Sequence, residues 1–561
     1  MPYESRWPLS PPYISLPSLL FGTPNAKLSD TQKILLDWTR PETHYFTLHS
    51  LREWSKRFAA GLTAAGLQKG DRLMLISGNS LWTPVVVLGT LMVGGIYNSA
   101  NPAGTARELA YQLKDSEPRF VFAAANCLGP AREAIKSAGL DESCIYVFED
   151  LPSHSATASR TQEDLLTGDG QHWGSFVSPP EVGATFDWEE YTSAEMANHT
   201  AILFYSSGTT GLPKGVEVTH YSLVATTMQL IMTQLSDRNI TQRRGICVLP
   251  MYHGLGLVYY VFVATKARMQ TYLMQRYNLE NMLSCIDRYK ITELLLVPTI
   301  LVAVAKHPAA RRGKYDLSSV RKVVAGAAPI GMEVTTQFEE LWSGRLKVRQ
   351  AWGICWNETE SAGPSSISVG ELVPGATARL ILEDGTEELR PGAPGELWIR
   401  GPNVMKRYWR KPKETAETKT SDGWLKTGDI AYRDDNGRWY IVDRKKELIK
   451  VRGAQVAPAE LEALLEHPQI VDAAVIGVKT SSGDEDPRAY VVPRKVDVIT
   501  EQEVVDFVAS KVSKIKRLTG GVVFLPAIPK NASGKILRKI LREQVTKDQL
   551  ARSNTHLNPR L

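Results

Sequence analysis

The feature that most constrains this chain is an apolar run that leads into a loop of small and hydroxylated residues. Ala201–Phe204 is a predicted buried strand, and residues 205–216 continue it as Tyr-Ser-Ser-Gly-Thr-Thr-Gly-Leu-Pro-Lys-Gly-Val. Glycines let backbone N–H groups wrap an anion, hydroxyls add donors, and Lys214 adds a positive charge. The stretch therefore predicts a phosphate cradle at the end of a strand.

Two positions separate this loop from a Walker A loop. Pro213 stands where that motif needs Gly before its Lys, and Gly215 stands where it needs Ser or Thr. A short Ser/Gly/Thr stretch is also compatible with a plain turn. The complete twelve-residue string is far more specific, and it predicts phosphate binding outside the Walker A class.

Length and composition indicate a folded protein of two or more domains. Its 561 residues exceed one ordinary domain, and the chain is 43% hydrophobic and 22% charged. The net charge of +6 suits polyanionic small molecules such as nucleotides and does not require nucleic acid.

Cysteine usage and the N-terminus favour a reducing compartment. The cysteines show no C-x-x-C spacing, so neither a disulfide framework nor a zinc site is predicted. We see no basic and apolar regions of a secretory signal. The longest apolar run, residues 84–97, is too short to span a bilayer, and we expect a core helix there.

The first part of the chain predicts a surface arm followed by alternating helices and strands. Residues 1 to about 45 are rich in Pro and Ser, which favours an extended arm. Apolar residues at helical spacing predict an amphipathic helix over residues 51–62. Strands at Arg72–Ile76 and Phe120–Ala123 flank a helix over Arg107–Lys114, and this alternation favours a parallel α/β sheet. Polar residues 151–195 predict a loop excursion.

Three later strands each end in small or polar residues. They are predicted at Gly245–Leu249, Leu294–Pro298 and Lys322–Pro329. Parallel strands present their carboxyl ends at one edge of a sheet, where ligands commonly bind. We therefore expect one shared crevice.

The last third of the chain changes character. Residues 376–382 and Gly395–Arg400 predict antiparallel strands with Gly/Pro turns. The final 118 residues have their own strand and helix pattern, at Ala459–Leu465, Ala473–Val478 and Glu501–Val512. The predicted fold class is α/β: a large N-terminal domain of parallel α/β sheets plus a small antiparallel β subdomain, then a small mobile α+β C-terminal domain. We expect the boundary near Asp443, giving domains 1–442 and 443–561.

Several ordered motifs together resemble the adenylate-forming superfamily. Besides residues 205–216 they are Gly326-Ala-Ala-Pro, Thr427-Gly-Asp, and the basic string Pro529-Lys-Asn-Ala-Ser-Gly-Lys-Ile-Leu-Arg. The superfamily includes acyl-CoA synthetases, coumarate ligases, luciferases and the adenylation domains of peptide synthetases. The chain is most similar to stand-alone acyl-CoA synthetases and coumarate-CoA ligases of fungal type, over residues 45 to about 540.

The resemblance assigns expected roles to individual residues. It implies that Asp429 holds the ribose hydroxyls, that Arg444 contacts ribose or phosphate, and that His253 faces the acyl carboxylate. It implies that Lys535 is the catalytic lysine and that the small residues Gly326-Ala-Ala-Pro form a flat wall on which adenine stacks. The residues expected to bind ATP or coenzyme A are Ser206, Ser207, Gly208, Thr209, Thr210, Gly211, Lys214, Gly326, Ala327, Ala328, Trp352, Gly353, Asp429, Arg444, Lys446, Gly453 and Gln455.

The mechanism implied by the resemblance has two steps. A carboxylate attacks the α-phosphate of ATP and pyrophosphate leaves, with Mg²⁺ and Lys535 neutralising the developing charge. The C-terminal domain then rotates about Asp443, and the thiol of coenzyme A attacks the acyl-adenylate. Lys450–Gly453 resembles the loop through which pantetheine enters.

One loop departs from the family pattern. Relatives carry Thr-Glu directly after aromatic-Gly-x, and the Glu binds Mg²⁺. Here Trp352-Gly-Ile is followed by Cys355-Trp, and the nearest Thr-Glu ends at Glu360. Four extra residues span about 13 Å when extended, so the role does not transfer directly. Glu358 and Glu360 are the candidate metal ligands.

Several readings of the function stay open at the level of sequence. The leading one is ligation of a hydrophobic fatty or aromatic acid to coenzyme A, in lipid or secondary metabolism. A carrier-protein loading enzyme, a luciferase-like oxygenase and a degenerate nucleotide-binding protein are the alternatives. We expect no carrier domain, because the chain ends 26 residues after Lys535. The ending Pro559-Arg-Leu resembles a peroxisomal address read by an import receptor, with the cytoplasm as the other location.

Overall fold

The protein was examined as a computed structural model. It describes residues 2–28, 31–151, 171–206, 212–234, 242–326, 330–343, 345–353, 355–356, 367–452, 454–480, 484–495, 498–531 and 534–545.

Within these residues the strands fall into five sheets. The strands are β1 Tyr3–Glu4, β2 Lys33–Asp37, β3 Tyr45–Thr47, β4 Arg72–Ile76, β5 Ile96–Ala100, β6 Phe120–Ala124, β7 Ile145–Phe148, β8 Thr200–Ser206, β9 Lys214–Thr219, β10 Arg244–Cys247, β11 Gln270–Leu273, β12 Glu293–Leu296, β13 Lys322–Ala325, β14 Val348–Trp352, β15 Cys355–Trp356, β16 Glu371–Leu372, β17 Thr377–Ile381, β18 Gly395–Arg400, β19 Arg407–Tyr408, β20 Leu425–Arg433, β21 Trp439–Arg444, β22 Ile449–Val451, β23 Ala454–Val456, β24 Ile470–Lys479, β25 Glu485–Pro493 and β26 Val522–Phe524.

Helices cover the sheets. The α-helices are α1 Leu16–Phe21, α2 Leu48–Ala64, α3 Thr83–Met92, α4 Ala106–Ser116, α5 Leu128–Ala138, α6 Pro180–Thr185, α7 Ala194–Ala197, α8 His220–Gln234, α9 Gly254–Gly256, α10 Ala264–Lys266, α11 Leu279–Tyr289, α12 Pro298–Lys306, α13 Pro308–Arg311, α14 Met332–Glu340, α15 Pro412–Thr418, α16 Pro458–Leu464 and α17 Glu501–Ala509. A π-helical turn, Leu257–Val263, joins α9 to α10, and 3₁₀ turns lie at Ala125–Cys127, Glu142–Cys144, Trp173–Phe176 and Lys514–Lys516.

Two largely parallel sheets form the large part of the molecule. One has the order β16-β15-β14-β13-β12-β10-β11-β2-β3, and the other has the order β19-β9-β8-β5-β4-β6-β7. Most of their apolar side chains share one core, which extends from Leu16 to Trp439, and a smaller cluster packs β4–β7 against α4 and α5. Strands buried on both faces explain the near-continuous apolar runs in the sequence. The predicted α/β class is confirmed.

A third sheet is antiparallel, as predicted for this part of the chain. Its order is β1-β17-β18-β20-β21, and every neighbouring pair runs antiparallel. The alternating burial along β17 and β18 shows one face on the core and one facing solvent.

The C-terminal part has separate apolar cores. One cluster runs from Ile449 to Val522, and another runs from Ala474 to Val545. Strands β24, β25 and β26 form a sheet, and β22 and β23 form a hairpin. The predicted elements here, a helix at 459–465, a strand at 473–478 and a helix starting at Glu501, are confirmed with small shifts of their ends.

The predicted surface arm over residues 1–45 is wrong. Five of the six residues of α1 are buried, and β2 joins the nine-stranded sheet between β11 and β3. The Ser and Pro residues that indicated an arm instead start a helix, because Ser15 accepts a hydrogen bond from the Ser18 N–H and Pro17 occupies the first turn.

The apolar run at residues 84–97 is not one helix. Helix α3 is buried on all sides and ends at Met92, and the chain then enters β5 at Ile96. Gly94 makes the turn with φ +77°, and a Cβ on Gly95 would lie 3.0 Å from the Thr90 side chain. Two glycines thus end the helix within a run that hydropathy alone reads as continuous.

The described end of the predicted 151–195 loop is partly ordered structure. Trp173 and Phe176 are buried in the core, and Trp173 Nε1 donates to the Glu149 carbonyl. Among the described residues, no helix combines the length and apolar character needed to cross a membrane.

Candidate active site

Four neighbouring parallel strands bring the predicted crevice together. The order β14-β13-β12-β10 places their carboxyl ends side by side. His253 follows β10, Thr299 follows β12, Gly326 follows β13 and Gly353 follows β14. The predicted strand ends therefore lie at one edge of the sheet, and a ligand crevice there stays a prediction.

Gly326 lies close against its neighbours at this edge. A Cβ at this position would lie 3.4 Å from the Ala351 carbonyl oxygen and 3.9 Å from the Leu255 side chain. A larger side chain would press on β14 or fill the crevice. The geometry suits a flat ligand surface, as predicted for the adenine wall.

His253 begins the helical segment that starts with α9. Burial lowers the pKa of its imidazole, so the neutral form dominates at pH 7. The ring of Phe204, in β8, lies 3.8 Å from where a Cβ on Gly254 would stand. The strand that leads to the phosphate loop therefore lies directly beside the His253 turn.

The phosphate loop is described at its two ends. The backbone of Ser206 ends β8 and Lys214 begins β9, and these two residues are antiparallel partners. The Lys214 Nζ lies 5.0 Å from the Tyr408 ring centroid, within the range of a cation–π contact.

The sites predicted from sequence that lie outside the described residues are Ser207, Gly208, Thr209, Thr210, Gly211, Ala327, Ala328, Gly453, Glu358 and Glu360.

The base of the phosphate loop is clamped by residues that the sequence patterns did not reveal. The Tyr205 hydroxyl donates to Asp115 Oδ2 at 2.7 Å, and Lys411 Nζ donates to Asp115 Oδ1 at 3.0 Å. Trp409 adds a donor to the Asp115 carbonyl, and its own N–H bonds the Gly215 carbonyl. Both strands that carry the loop are thereby fixed to the C-terminus of α4.

Asp429 and Arg444 form a pair across β20 and β21. They are register partners, and Arg444 Nε lies 2.7 Å from Asp429 Oδ1. The Asp429 side chain is only 3% exposed, whereas that of Arg444 is 48% exposed. Gly428 precedes the carboxylate with φ +70°, a conformation that favours glycine. A ribose bound here would share the carboxylate with the guanidinium.

Asp443 links the antiparallel sheet to the C-terminal part. Its carboxylate accepts hydrogen bonds from the Arg444 N–H and from the Ala459 N–H in the first turn of α16. Burial raises the pKa of this carboxyl. The residue predicted to be the hinge therefore caps the first helix after it.

Lys535 faces the Asp429–Arg444 pair. Burial lowers the pKa of its ammonium, and Arg444 lowers it further, while Asp429 and Glu447 raise it. The lysine is held by a tight turn: its N–H donates to Asn531 Oδ1 at 2.9 Å, and Gly534 has φ +80°. The structure thus brings together two site residues that lie far apart in sequence.

Gly534 also contacts the large part of the molecule. A Cβ on Gly534 would lie 2.8 Å from Thr299 Oγ1, at the start of α12. Any side chain at position 534 would separate the lysine turn from this helix. The glycine therefore serves both the turn and its close approach to the sheet edge.

Four further predicted residues lie within the described part of the chain: Gln455, Lys446, Trp352 and Gly353. Gln455 Nε2 donates to Glu383 Oε1 at 2.8 Å, on the exposed side of the hairpin. Lys446 is exposed in the turn after β21. Trp352 and Gly353 lie where β14 turns back into β15, with Gly353 at φ +37°.

A resident metal centre is absent from the part of the chain that the structure describes. No group of three or more His, Cys, Asp or Glu side chains there is placed to hold an ion. The two predicted ligands, Glu358 and Glu360, lie outside that part.

Comparison with known proteins adds to this geometry. The chain is 36% identical to a probable CoA ligase of Humulus lupulus over 500 residues, covering 87% of this chain and 86% of that protein. It is 35% identical to a phenylacetyl-CoA ligase of Aspergillus niger, covering 87% and 89%. The structure resembles ATP-bound MatB of Rhodopseudomonas palustris with a TM-score of 0.78 and 26% identity, over 94% and 98% of the two chains.

Family matches cover both parts of the chain. Residues 26–409 match the AMP-binding enzymes, and residues 462–535 match the C-terminal domain of the same enzymes. The phosphate-loop strands, the sheet-edge crevice and Asp115 lie in the first match, and Lys535 ends the second. The chain therefore belongs to the AMP-binding enzyme family.

Proposed function

We propose that this protein is an ATP-dependent acid–thiol ligase that converts a hydrophobic carboxylic acid to its acyl-adenylate and then to its coenzyme A thioester. The observation that carries the proposal is the position of Lys535, which is half-buried and near enough to Arg444 and Asp429 for their charges to shift its pKa. The named CoA ligases among its relatives support the same reaction class.

In the first step, the acid's carboxylate oxygen attacks the α-phosphorus of ATP and pyrophosphate leaves. Asp429 and Arg444 hold the ribose, and the Gly326 wall holds the adenine ring. Lys214 and the backbone of the phosphate loop bind the leaving phosphates, and Lys535 stabilises negative charge that develops at the reacting phosphate. Neutral His253 lies beside the carboxylate without adding a competing cation.

In the second step, the C-terminal domain turns about Asp443. We place the boundary between domains 1–442 and 443–561 at this residue. The turn withdraws Lys535 and presents the β22–β23 hairpin, so the pantetheine thiol reaches the acyl carbonyl. The sulfur–carbon bond forms, the bond to phosphate breaks, and AMP leaves. Gln455, in β23, and Lys446, in the turn before the hairpin, belong to this arrangement, and Gly453 is assigned to it from the sequence.

Mg²⁺ enters with ATP as part of the substrate. We assign Glu358 or Glu360 as the carboxylate that binds it. Glu360 belongs to the displaced Thr-Glu of the loop, and Glu358 is the nearest other carboxylate in the sequence. If neither binds Mg²⁺, the chain is a nucleotide-binding protein with slow adenylation. In that case the Gln variants of Glu358 and Glu360 would both adenylate as slowly as the parent. If one of the two carboxylates does bind Mg²⁺, its Gln variant should lose on the order of 10²–10³ in adenylation rate, with little change in ATP affinity.

Apolar and aromatic residues line the sheet edge where the acid binds. Tyr252–Val263 and Pro298–Gly331 supply them, with Tyr259, Val261 and Phe262 buried. This supports a hydrophobic acid, either aromatic or fatty. A carrier-protein loading reaction is the second candidate, and it differs only in the thiol that attacks.

The test is pyrophosphate release with ATP, Mg²⁺ and a panel of aromatic and fatty acids, followed by thioester formation on adding coenzyme A. Acid-dependent pyrophosphate release with thioester product supports the ligase. Release without thioester would favour the loading reaction, and ATP binding without release would favour the binding protein.

We further propose peroxisomal import through the residues Pro559-Arg-Leu, which lie outside the described residues. A fluorescent protein joined before this tail should become punctate in cells. Diffuse fluorescence with the intact tail would contradict import and leave the cytoplasm.

A further inference from the structure

Helix α14 begins without a capping side chain of its own. Its N-cap is Gly331, which carries no side chain to accept a hydrogen bond from the first turn. A helix leaves its first N–H groups unpaired, and a Ser, Thr, Asp or Asn at the N-cap normally accepts one of them. An acceptor for these N–H groups can then come from another part of the molecule or from water.

Glu466, from the C-terminal part, supplies that acceptor. Its carboxyl group lies at the first turn of α14, where the backbone N–H of Val334, the third residue of the helix, favours the charged form. A Cβ on Gly331 would lie 2.7 Å from Glu466 Oε1, so the absent side chain makes room for this carboxylate. Oε2 of the same residue is buried with no hydrogen-bond partner.

The docking site is a pair of packed helices. α12 packs against α14. α12 carries Thr299, which meets Gly534 of the lysine turn, and Lys306, which faces Glu466. Two approaches of the C-terminal part, at Gly534 and at Glu466, are therefore made to the same pair of helices.

We propose that Glu466 caps α14 across the interface and so positions Lys535 for the adenylation step. This inference rests on the proposed ligase function, in which the C-terminal domain must leave this arrangement before the thiol step. Because rotation removes the cap, Glu466 is a positioning residue for the first half-reaction only.

Charges around Glu466 give the contact a pH dependence. Burial raises its pKa to about 7, Glu333 on α14 raises it as well, and Lys306 on α12 lowers it. On its own segment the neighbouring His467 ring packs against Phe507. A carboxyl whose pKa is higher when docked takes up a proton on docking, so docking is favoured below pH 7 and weakens as the pH rises from 4.5 to 7.

The test compares Glu466→Ala with the matched variant Glu466→Gln. Alanine removes the acceptor, and we expect adenylation to fall roughly fivefold, the usual size of a lost helix cap, with the thiol step on supplied acyl-adenylate unchanged. Glutamine keeps an acceptor for Val334 and should retain adenylation. In the parent, the ratio of adenylation to thiol-step rates should fall as the pH rises through 7, and in Glu466→Gln this fall should be lost.

Hydrogen exchange at the first turn of α14 reads the cap without any reaction. We expect Val334 to lose protection in Glu466→Ala and to keep it in Glu466→Gln. Glu333→Gln removes a like charge and should raise docking and adenylation about twofold, in the direction opposite to alanine.

Two outcomes would overturn the proposal: unchanged protection of Val334 in the alanine variant, or equal losses in both half-reactions. If no acid is adenylated by the parent, the ligase function fails. The exchange result then still decides whether Glu466 caps this helix.

Discussion

The two faces of the site are built by opposite means. The face from the large part of the molecule is fixed in the shared core: Asp429 is almost fully buried, and Asp115 holds the phosphate-loop strands through Tyr205 and Lys411. The face from the C-terminal part rests on a few contacts: Glu466 at α14, Gly534 at Thr299, and an exposed bond from Gln455 to Glu383.

This contrast indicates which groups have to stay and which have to leave. Ribose, adenine and phosphate contacts are needed throughout a two-step reaction, so a rigid scaffold suits them. In the proposed reaction the lysine is needed only while charge develops at phosphorus, so a domain held by weak, separable contacts would suit it. A stronger interface would slow the second step.

The largest expected effect comes from removing the transient charge itself. Lys535→Ala should lower adenylation by about 10²–10³-fold, because a group that stabilises developing charge acts on the transition state. Thioester formation from supplied acyl-adenylate should be spared. Separate assays of pyrophosphate release and thioester formation measure the two steps, and the exposed Lys539→Ala serves as the control.

Equal losses in both half-reactions would show that Lys535 supports folding or docking instead. A pH profile gives a second check. Because burial lowers the pKa of Lys535 below its ordinary 10.5, adenylation should decline at an alkaline pH below that value, and this decline should be missing from the residual rate of the alanine variant.

A smaller effect is expected on the fixed face. Asp115→Ala removes the acceptor of Tyr205 and the partner of Lys411, and bonds to charged groups contribute about 1.5–3 kcal/mol each. We expect the Kd for ATP in a binding assay and the KM for ATP in a turnover assay each to rise roughly tenfold, because a displaced loop binds phosphate more weakly.

Tyr205→Phe removes the donor of the hydrogen bond to Asp115. The loss of ATP affinity in the double variant should be smaller than the sum of the losses in the two single variants. Additive losses would mean that the tyrosine and the aspartate act on the loop independently. Unchanged ATP affinity in Asp115→Ala would mean that the loop strands hold their position without the clamp.

The smallest effect should come from the exposed contact on the movable face. Glu383→Ala breaks the bond to Gln455, and exposed polar contacts contribute about 0–1 kcal/mol, so either half-reaction should change by less than roughly fivefold. Melting temperature and both half-reaction rates measure this. A loss as large as that of Lys535→Ala would show that the movable face depends on this bond for docking.

Much of the fold could be predicted from local sequence patterns, because buried parallel strands have sequences that are apolar runs ending in small residues. The crevice edge, the antiparallel sheet and the C-terminal elements were predictable for this reason. The structure of residues 1–45 was not predictable in this way, because Ser and Pro residues such as Ser15 and Pro17 also occur at the start of a helix. The break at Gly94 was missed because its neighbours are as apolar as the helix before them.

The site divides in the same way. Motif residues such as Asp429 and Lys535 could be found in sequence because they carry chemistry at fixed spacing. Asp115 and Glu466 could not, since each acts on a partner that only the tertiary fold brings near. A carboxylate that caps a helix from another part of the chain leaves no local signature.

The strand β1 has a consequence for how the chain is made. Tyr3 pairs with Ala378 and stacks edge-on against Trp439, so this strand is synthesised long before the partners that it needs. Such non-local pairing is slow to form, and until it does the outer side of β17 is an open edge that other chains can join. We therefore expect a bulky N-terminal fusion to lower the yield of folded protein and to increase aggregation, with a smaller effect on the catalytic steps of the folded enzyme.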